Sequence, residues 1–242
     1  MCASGQAFTR MNEDANSVIS TEARIFSGLS HPAIEAIMER AVRASVRPYT
    51  PLCHAGQEAI WFYLILKGQV KYCRPAENGV EILIHVLSKN ECFGLGTFQG
   101  APIPYLGTAE TMTFCEILKW RHADIVHLTQ RFPLLGQNAL AIVLRYLAEY
   151  SSRHASLVAE SGTTRLARVL IDLANRIGTP SPEGVDVPIT NEDLGALADV
   201  SRFTVSRTMS RWRNRKLIKK NRNHVVLMAP DGLVSPPHIS AN

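Results

Sequence analysis

The stretch 190–228 constrains the fold of this chain most, because it predicts two short helices joined by a tight turn. Thr190 is followed three residues later by Asp193, which resembles a capping box with Asp in place of the usual Glu or Gln. A turn is predicted at Asp199, and Ser201 is suited to cap the second helix. The stretch therefore predicts a helix-turn-helix.

The second predicted helix has an apolar side and a cationic side. Val205, Thr208 and Trp212 fall on the apolar side. Arg can pair its planar fork of donors with O6 and N7 of guanine in the major groove, and short hydroxyl side chains suit phosphates or bases. The predicted base contacts are Arg202, Phe203, Ser206 and Arg207, and the predicted phosphate contacts are Thr190, Ser201 and Thr204.

Charge is distributed unevenly along the chain. A solvated cationic surface helix would explain a few of these cations, but residues 201–230 hold nine Lys or Arg and no Asp or Glu. The whole chain has a net charge of +5, so the remainder carries −4. A basic end on an otherwise acidic chain indicates a polyanionic partner, and we predict double-stranded DNA.

The segment Arg202-Phe203-Thr204-Val205-Ser206-Arg207 resembles the Arg-Glu-Thr-Val-Ser/Gly-Arg signature of the CRP/FNR family of bacterial transcription regulators. Phe203 stands where that family usually has Glu. Glu accepts from cytosine N4, whereas Phe can only touch a thymine methyl or pack, so a different base is expected there. Asp199 replaces a usual turn Gly, at a position that needs a positive φ, which Asp tolerates better than most residues.

Residues 46–120 read as short strands separated by Gly, Pro and Asn. Apolar runs at 59–66, 70–73, 80–87 and 113–120 predict a β-sandwich or barrel. The sequence Gly56-Gln57-Glu58 and the run 63–70 resemble the β-roll of the cyclic-nucleotide-binding domain. With the C-terminal motif, the family resemblance covers roughly residues 20–230.

In the family members that bind cyclic AMP, a Gly-Glu-Leu segment and a later Arg-Ser pair hold the nucleotide. Here the corresponding segment is 94–98, without Glu, and the pair falls on or near Tyr105-Leu106. No Arg or Lys lies between Lys89 and Lys119. Because desolvating a phosphate without a cation is costly, we expect that cyclic AMP does not gate this protein in the usual way.

The effector itself is not identified by the sequence. A residual pocket would suit an apolar metabolite or be filled by its own side chains: Leu95, Phe98, Tyr105 and Leu106, with Tyr150 and Ser151 from the adjoining helix. Haem, with His54, His85 or His154 as ligand, and oxidation of Cys73, Cys92 or Cys115 are the alternatives. An iron–sulfur cluster is not expected, since only Cys2 lies near the N-terminus.

Residues 133–159 predict one long helix. Leu140, Leu144, Leu147, Ser151, His154 and Val158 recur at alternating spacings of four and three. A core helix of a single domain is also compatible with so short a seam. The family resemblance favours a homodimer, whose two recognition helices would enter successive major grooves at an inverted repeat.

The predicted fold class is α+β: an N-terminal double-stranded, jelly-roll-like β-roll, a long dimerisation helix and a C-terminal winged helix-turn-helix. The predicted boundaries are a disordered segment at 1–19, a sensor domain at 20–130, the dimerisation helix at 131–160, the DNA-binding domain at 161–230 and a flexible tail at 231–242. We predict a hinge between the domains at 160–164 and, within the DNA-binding domain, a linker at 178–184 and a wing hairpin at 218–228.

Other function classes are not supported by the sequence. No run of 18 uncharged apolar residues is present, so no membrane span is expected. Five cysteines without CxxC spacing suggest reduced thiols in the cytoplasm rather than disulfides or a metal site. No catalytic motif occurs, so we expect neither an enzyme nor a cofactor. By resemblance, RNA polymerase is the further partner.

Overall fold

The structure is a computed structural model that describes residues 22–75, 81–221 and 223–234. The segment predicted to be disordered, 1–19, and most of the predicted tail lie outside the described residues. The chain divides into two compact units, Met1–Glu149 and Tyr150–Asn242. This boundary falls inside the long helix and not at its end, where the sequence places the border between helix and DNA-binding domain.

The first unit contains a strand at each of the four predicted runs, 59–66, 70–73, 80–87 and 113–120, together with elements that the sequence did not predict. It contains the 3₁₀ turns Arg24–Phe26 and Leu95–Phe98, helix α1 (His31–Met38), strands β1 (Val42–Val46), β2 (Pro51–Cys53), β3 (Trp61–Lys67), β4 (Val70–Pro75), β5 (Glu81–Leu87), β6 (Cys92–Phe93), β7 (Thr108–Thr111) and β8 (Cys115–Arg121), helix α2 (His122–Arg131) and most of α3 (Pro133–Ala159). Two antiparallel four-stranded sheets, ordered β1-β8-β3-β6 and β2-β7-β4-β5, confirm the β-roll.

Strand β3 is buried on both of its faces, which explains its unbroken apolar run. Tyr63 and Ile65 belong to the cluster between the two sheets. Phe62 and Leu64 point the other way, into a second cluster with Trp120 and the helices. Because successive side chains of a strand alternate between faces, one strand supplies both cores.

The second unit contains the predicted winged helix-turn-helix. After the end of α3 come α4 (Gly162–Ile177), β9 (Thr179–Ser181), β10 (Gly184–Val187), α5 (Asn191–Ala198), α6 (Arg202–Asn214), β11 (Ile218–Asn221), β12 (His224–Leu227) and α7 (Asp231–Val234). The wing is a sheet of four strands in the order β11-β12-β10-β9.

The predicted linker at 178–184 was wrong, since these residues form β9 and the start of β10. Strand β10 pairs with β12 in the register Val185 to Leu227, and β9 extends the sheet beyond it. Pro180 lies on β9, an edge strand, where its missing N–H is tolerated. The first residues of the predicted tail also differ from expectation, because α7 buries Leu233.

Candidate nucleic-acid interface

Helix α5 begins at the predicted N-cap, Thr190, and the Asp193 carboxylate bonds to the Thr190 hydroxyl and not to its backbone N–H as in a full capping box. The Thr190 hydroxyl accepts from the backbone N–H of Asp193 at 3.0 Å and donates to the Asp193 carboxylate at 2.6 Å. This satisfies one of the unpaired donors of the first helical turn. The hydroxyl assigned to a phosphate from the sequence is thus already engaged at the helix start.

The turn between α5 and α6 has the predicted strained residue. Asp199 adopts a left-handed conformation with φ of 49°. Gly195 allows the second helix to cross closely, because a Cβ there would lie 3.0 Å from Val205 Cγ2. Ser201 then caps α6 by accepting from the backbone N–H of Thr204 at 3.3 Å. Both predicted phosphate contacts at this end, Ser201 and Thr204, also share a hydroxyl contact of 3.1 Å.

The buried side of α6 fixes the orientation of its other side. Val205, Thr208 and Trp212 are buried as predicted, and Met209 joins them. Met209 was not predicted here, and it widens the buried face beside Thr208. With these four side chains buried, the opposite face is held toward solvent.

All four predicted base-contacting residues are exposed together on α6. Phe203 is 73% exposed, an unusual position for a large apolar ring. The Arg202 guanidinium lies 5.2 Å from the centre of that ring, within cation–π range. Arg207 and Ser206 lie one turn further along the helix. The face offers cations and one apolar surface to a partner.

A cleft of about 290 Å³ lies between the start of α5 and the wing. Of the residues that line this cleft, only Thr190 was predicted to contact DNA. The one sequence signal for the others is the pair of Asn residues at the predicted wing turn. Elsewhere on the wing, Lys219 Nζ pairs with Glu183 at 2.7 Å. The residues lining the cleft are Ile189, Thr190, Asn191, Lys220, Asn221 and Asn223.

In the β-roll, Tyr105 lies on or near the position that the resemblance assigns to the family's Arg-Ser pair. Its hydroxyl accepts from the Trp61 backbone N–H at 3.0 Å and donates to the Trp61 carbonyl at 2.8 Å. Burial raises the pKa of this hydroxyl to about 12. A Cβ on Gly94 would lie 2.5 Å from the Trp61 carbonyl oxygen, so the predicted phosphate segment is closely packed here.

The residues of the predicted effector pocket differ in how they are packed. Leu95 and Phe98 pack against the helix-side cluster, whereas Tyr105 belongs to the cluster between the sheets. Leu106 is 71% exposed. The last two predicted residues, Tyr150 and Ser151, belong to the second unit and are exposed there.

The cysteines considered as oxidant sensors are buried. Burial raises the pKa of Cys92 to about 12, and that of Cys115 is raised for the same reason. Cys53 behaves likewise, with its pKa raised by burial to about 12. Cys73 is buried as well. Because the thiolate is the reactive form, these values describe structural thiols.

The histidines considered as haem ligands differ in their surroundings. His85 lies on β5, with Nε2 3.5 Å from the Glu91 carboxylate, whereas His54 and His154 are exposed. Within 22–75, 81–221 and 223–234, no three His, Cys, Asp or Glu side chains are grouped to hold a metal ion.

Helix α3 has one face buried and one exposed. Leu135, Ala139 and Ile142 are buried in the helix-side cluster. The predicted seam occupies the other face and is exposed in the single chain, with Leu140 at 60% and Leu144 at 55%. The exposed seam comprises Leu140, Leu144, Leu147, Ser151, His154 and Val158.

Two family models match the chain, a cyclic nucleotide-binding domain at residues 43–132 and a Crp-like helix-turn-helix domain at residues 164–235. They coincide with the β-roll and with the helix-turn-helix and wing. The protein belongs to the CRP/FNR family. It is therefore a transcription regulator of this family with a helix-turn-helix DNA-binding domain, as the sequence motif predicted.

Two similar CRP/FNR relatives are named as cAMP-activated global transcriptional regulators. The CRP of Pasteurella multocida is 27% identical over 178 residues, covering 73% of this chain and 85% of the relative. The CRP-like regulator of Mycobacterium tuberculosis is 25% identical over 212 residues, covering 86% of this chain and 94% of the relative. Similarity thus extends over nearly the whole of each relative.

Solved structures of the CRP/FNR family share the fold. The regulator CLP of Xanthomonas campestris, described as c-di-GMP responsive, superimposes with a TM-score of 0.70 at 20% identity, covering 82% of this chain and 99% of that one. FixK2 of Bradyrhizobium japonicum gives 0.69 at 16% identity, covering 80% and 95%. In the described part of this chain, no helix has the length and apolar character to cross a membrane.

Proposed function

We propose that this CRP/FNR regulator binds an inverted-repeat operator as a homodimer and that cyclic AMP does not gate it in the usual way. The carrying observation is the exposed face of α6, where two arginines flank an apolar ring. Arg202 and Arg207 contact base edges, with Phe203 and Ser206 beside them. Thr190, Ser201 and Thr204 lie at helix starts, where a backbone phosphate is favoured.

The homodimer is supported by the seam on α3. Apolar side chains at coiled-coil spacing are exposed on a helix whose other face is already packed. A second copy is the occupant with the matching pattern, because a two-fold axis sets each seam residue against its equivalent. The two recognition helices would then address half-sites about 34 Å apart.

Insensitivity to cyclic AMP is supported by Tyr105 and its surroundings. Its hydroxyl is committed to both backbone groups of Trp61 and carries no charge at neutral pH. No Arg or Lys between Lys89 and Lys119 offers a replacement cation. The similar proteins named cAMP-activated and c-di-GMP responsive indicate that this fold serves different effectors.

Of the alternative modes of gating, thiol oxidation is the least favoured. Cys53, Cys92 and Cys115 are buried with raised pKa values, so each is protonated at neutral pH. Haem and an apolar metabolite are tested by direct observation, through a Soret band in the purified protein or a bound molecule in its extract. We further propose that the protein acts in the cytoplasm together with RNA polymerase.

The central experiment selects an operator for the purified full chain from a pool of random duplexes at low salt. We expect an inverted repeat, and fluorescence anisotropy should give the same affinity with and without millimolar cyclic AMP. An asymmetric site, or an affinity that rises with cyclic AMP, would refute the corresponding part of the proposal.

The dimer is tested separately by Leu144→Glu. A charge in the seam should convert the sedimenting species from dimer to monomer and abolish binding to the full operator. Glu149→Gln, on the same helix outside the seam, serves as the control and should remain dimeric. A Leu144→Glu protein that is still dimeric would place the interface elsewhere.

A further inference from the structure

Arg165, near the start of α4, holds three backbone carbonyl groups with one guanidinium. Its Nη1 donates to the Glu160 carbonyl at 2.9 Å and its Nε to the Ala198 carbonyl at 2.9 Å. Its Nη2 donates to the Asp199 carbonyl at 2.8 Å. All these residues belong to the same compact unit.

The three carbonyls come from two separate places in the chain. Glu160 directly follows the last residue of α3, and its own N–H still donates to the Ser156 carbonyl at 3.0 Å. Ala198 and Asp199 end α5 and form the turn that leads into α6. Carbonyls at helix ends lack partners within the helix and carry partial negative charge, so a cation is well placed there.

Close packing holds the same two segments together beside Arg165. A Cβ on Gly162 would lie 2.8 Å from Cγ1 of Val200, which is closer than real Cβ contacts allow. The Glu160 carboxylate, in addition, pairs with Arg168 on α4. The end of α3 and the helix-turn-helix turn are thus joined by hydrogen bonds and by direct contact.

We propose that Arg165 is a positioning residue that fixes α6 to the last turns of α3 and so sets the half-site spacing the dimer accepts. The proposal rests on the proposed homodimeric binding of an inverted repeat. In such a dimer the seam on α3 fixes the two-fold axis. The Arg165 contacts then fix the position of each recognition helix relative to that axis. A planar fork is required, because the ammonium of Lys is a single point that cannot reach three carbonyls in this arrangement.

The test uses the full chain and its selected operator, together with duplexes in which one base pair is added or removed between the half-sites. One base pair moves a half-site by about 3.4 Å and turns it by about 34°. The wild-type protein should bind the altered duplexes at least about tenfold more weakly, the scale of one charge-assisted hydrogen bond. In Arg165→Lys this spacing penalty should fall to about threefold or less, while base preference at the Arg207 position stays unchanged.

Arg176→Lys is the matched control. Arg176 lies on the same helix and pairs with Asp172 one turn away, at 3.5 Å. This variant should keep the wild-type spacing penalty.

Gly162→Ala disturbs the contact with Val200 without altering Arg165. It tests the proposed control of half-site spacing if Arg165→Lys does not fold. The added methyl group pushes against Val200, so the spacing penalty should shrink here too. If both variants melt at lower temperature but keep the wild-type penalty, Arg165 only stabilises the domain and the proposal is wrong. A wild-type protein that binds no inverted repeat would instead refute the proposed function, and this inference with it.

Discussion

In the β-roll, Tyr105 turns its hydroxyl inward to the backbone of Trp61, whereas on α6 the side chains of Arg202 and Arg207 remain exposed. Both regions carry the pattern of the same family. The roll keeps the family's strands, and we propose that Tyr105 closes its binding position, whereas the helix keeps the family's arginines at its surface. A fold can therefore lose the chemistry of one site without losing its packing, because strand pairing and core contacts do not depend on the ligand.

Arg207→Ala should have the largest effect on operator binding. Loss of its base contact should cost about 1–3 kcal/mol and relax specificity at one position of each half-site. Arg207→Lys separates two roles, because it keeps the charge but loses the bidentate fork. It should retain the salt dependence of binding and lose the base preference. Unchanged affinity and preference in both variants, measured by anisotropy, would mean that the exposed helix face is not the contact surface.

Phe203→Glu should change the preferred base with a smaller effect on affinity. Contact between the ring and a thymine methyl contributes about 1 kcal/mol per half-site, and a carboxylate accepts from cytosine N4 instead. Competition between operators carrying T·A or C·G at the altered position measures the switch. Equal competition by both duplexes against the wild-type protein would show that the ring only packs.

Tyr105→Phe should leave operator affinity unchanged and lower stability. Removing the hydroxyl leaves the N–H and carbonyl of Trp61 without this partner, at a cost of about 1–3 kcal/mol in the free energy of unfolding. Urea unfolding followed by Trp fluorescence measures it, with Tyr49→Phe, an exposed tyrosine, as control. If Tyr105→Phe were as stable as the control, the hydroxyl would not be closing this position.

The smallest expected effect is that of mild oxidants and thiol reagents. The pKa values of Cys53 and Cys92 are raised to about 12, so at pH 8 both thiols are protonated and their reactive thiolate is scarce. A colorimetric thiol reagent should therefore not react with these two cysteines until denaturant is added, and dilute peroxide should not change DNA binding. Rapid reaction at Cys92 in the native protein, located by peptide mapping, would contradict the burial of this thiol.

Local chemistry made the helix-turn-helix predictable. Thr190 and Ser201 indicated where α5 and α6 begin. The left-handed conformation of Asp199 was expected from its position in the turn between these helices. In the roll, long apolar runs predicted β3 and β8. Strands β1, β2, β6 and β7 were missed, because their pairing depends on distant partners and not on a pattern of their own.

The role of Arg165 was not predictable either. Its partners are backbone carbonyls, which every residue possesses, so no spacing or side-chain type in the sequence indicates them. The effector pocket stays a prediction. Leu95 and Tyr105 were grouped by their positions in the sequence, and in the structure they pack in different core clusters.

Both outer strands of the wing sheet are unsuited to recruiting another strand. Pro180 interrupts the donors of β9 on one side, and Lys219 and Lys220 place charges along β11 on the other. We therefore expect two molecules of this protein not to join their wing sheets edge to edge, even at high local concentration.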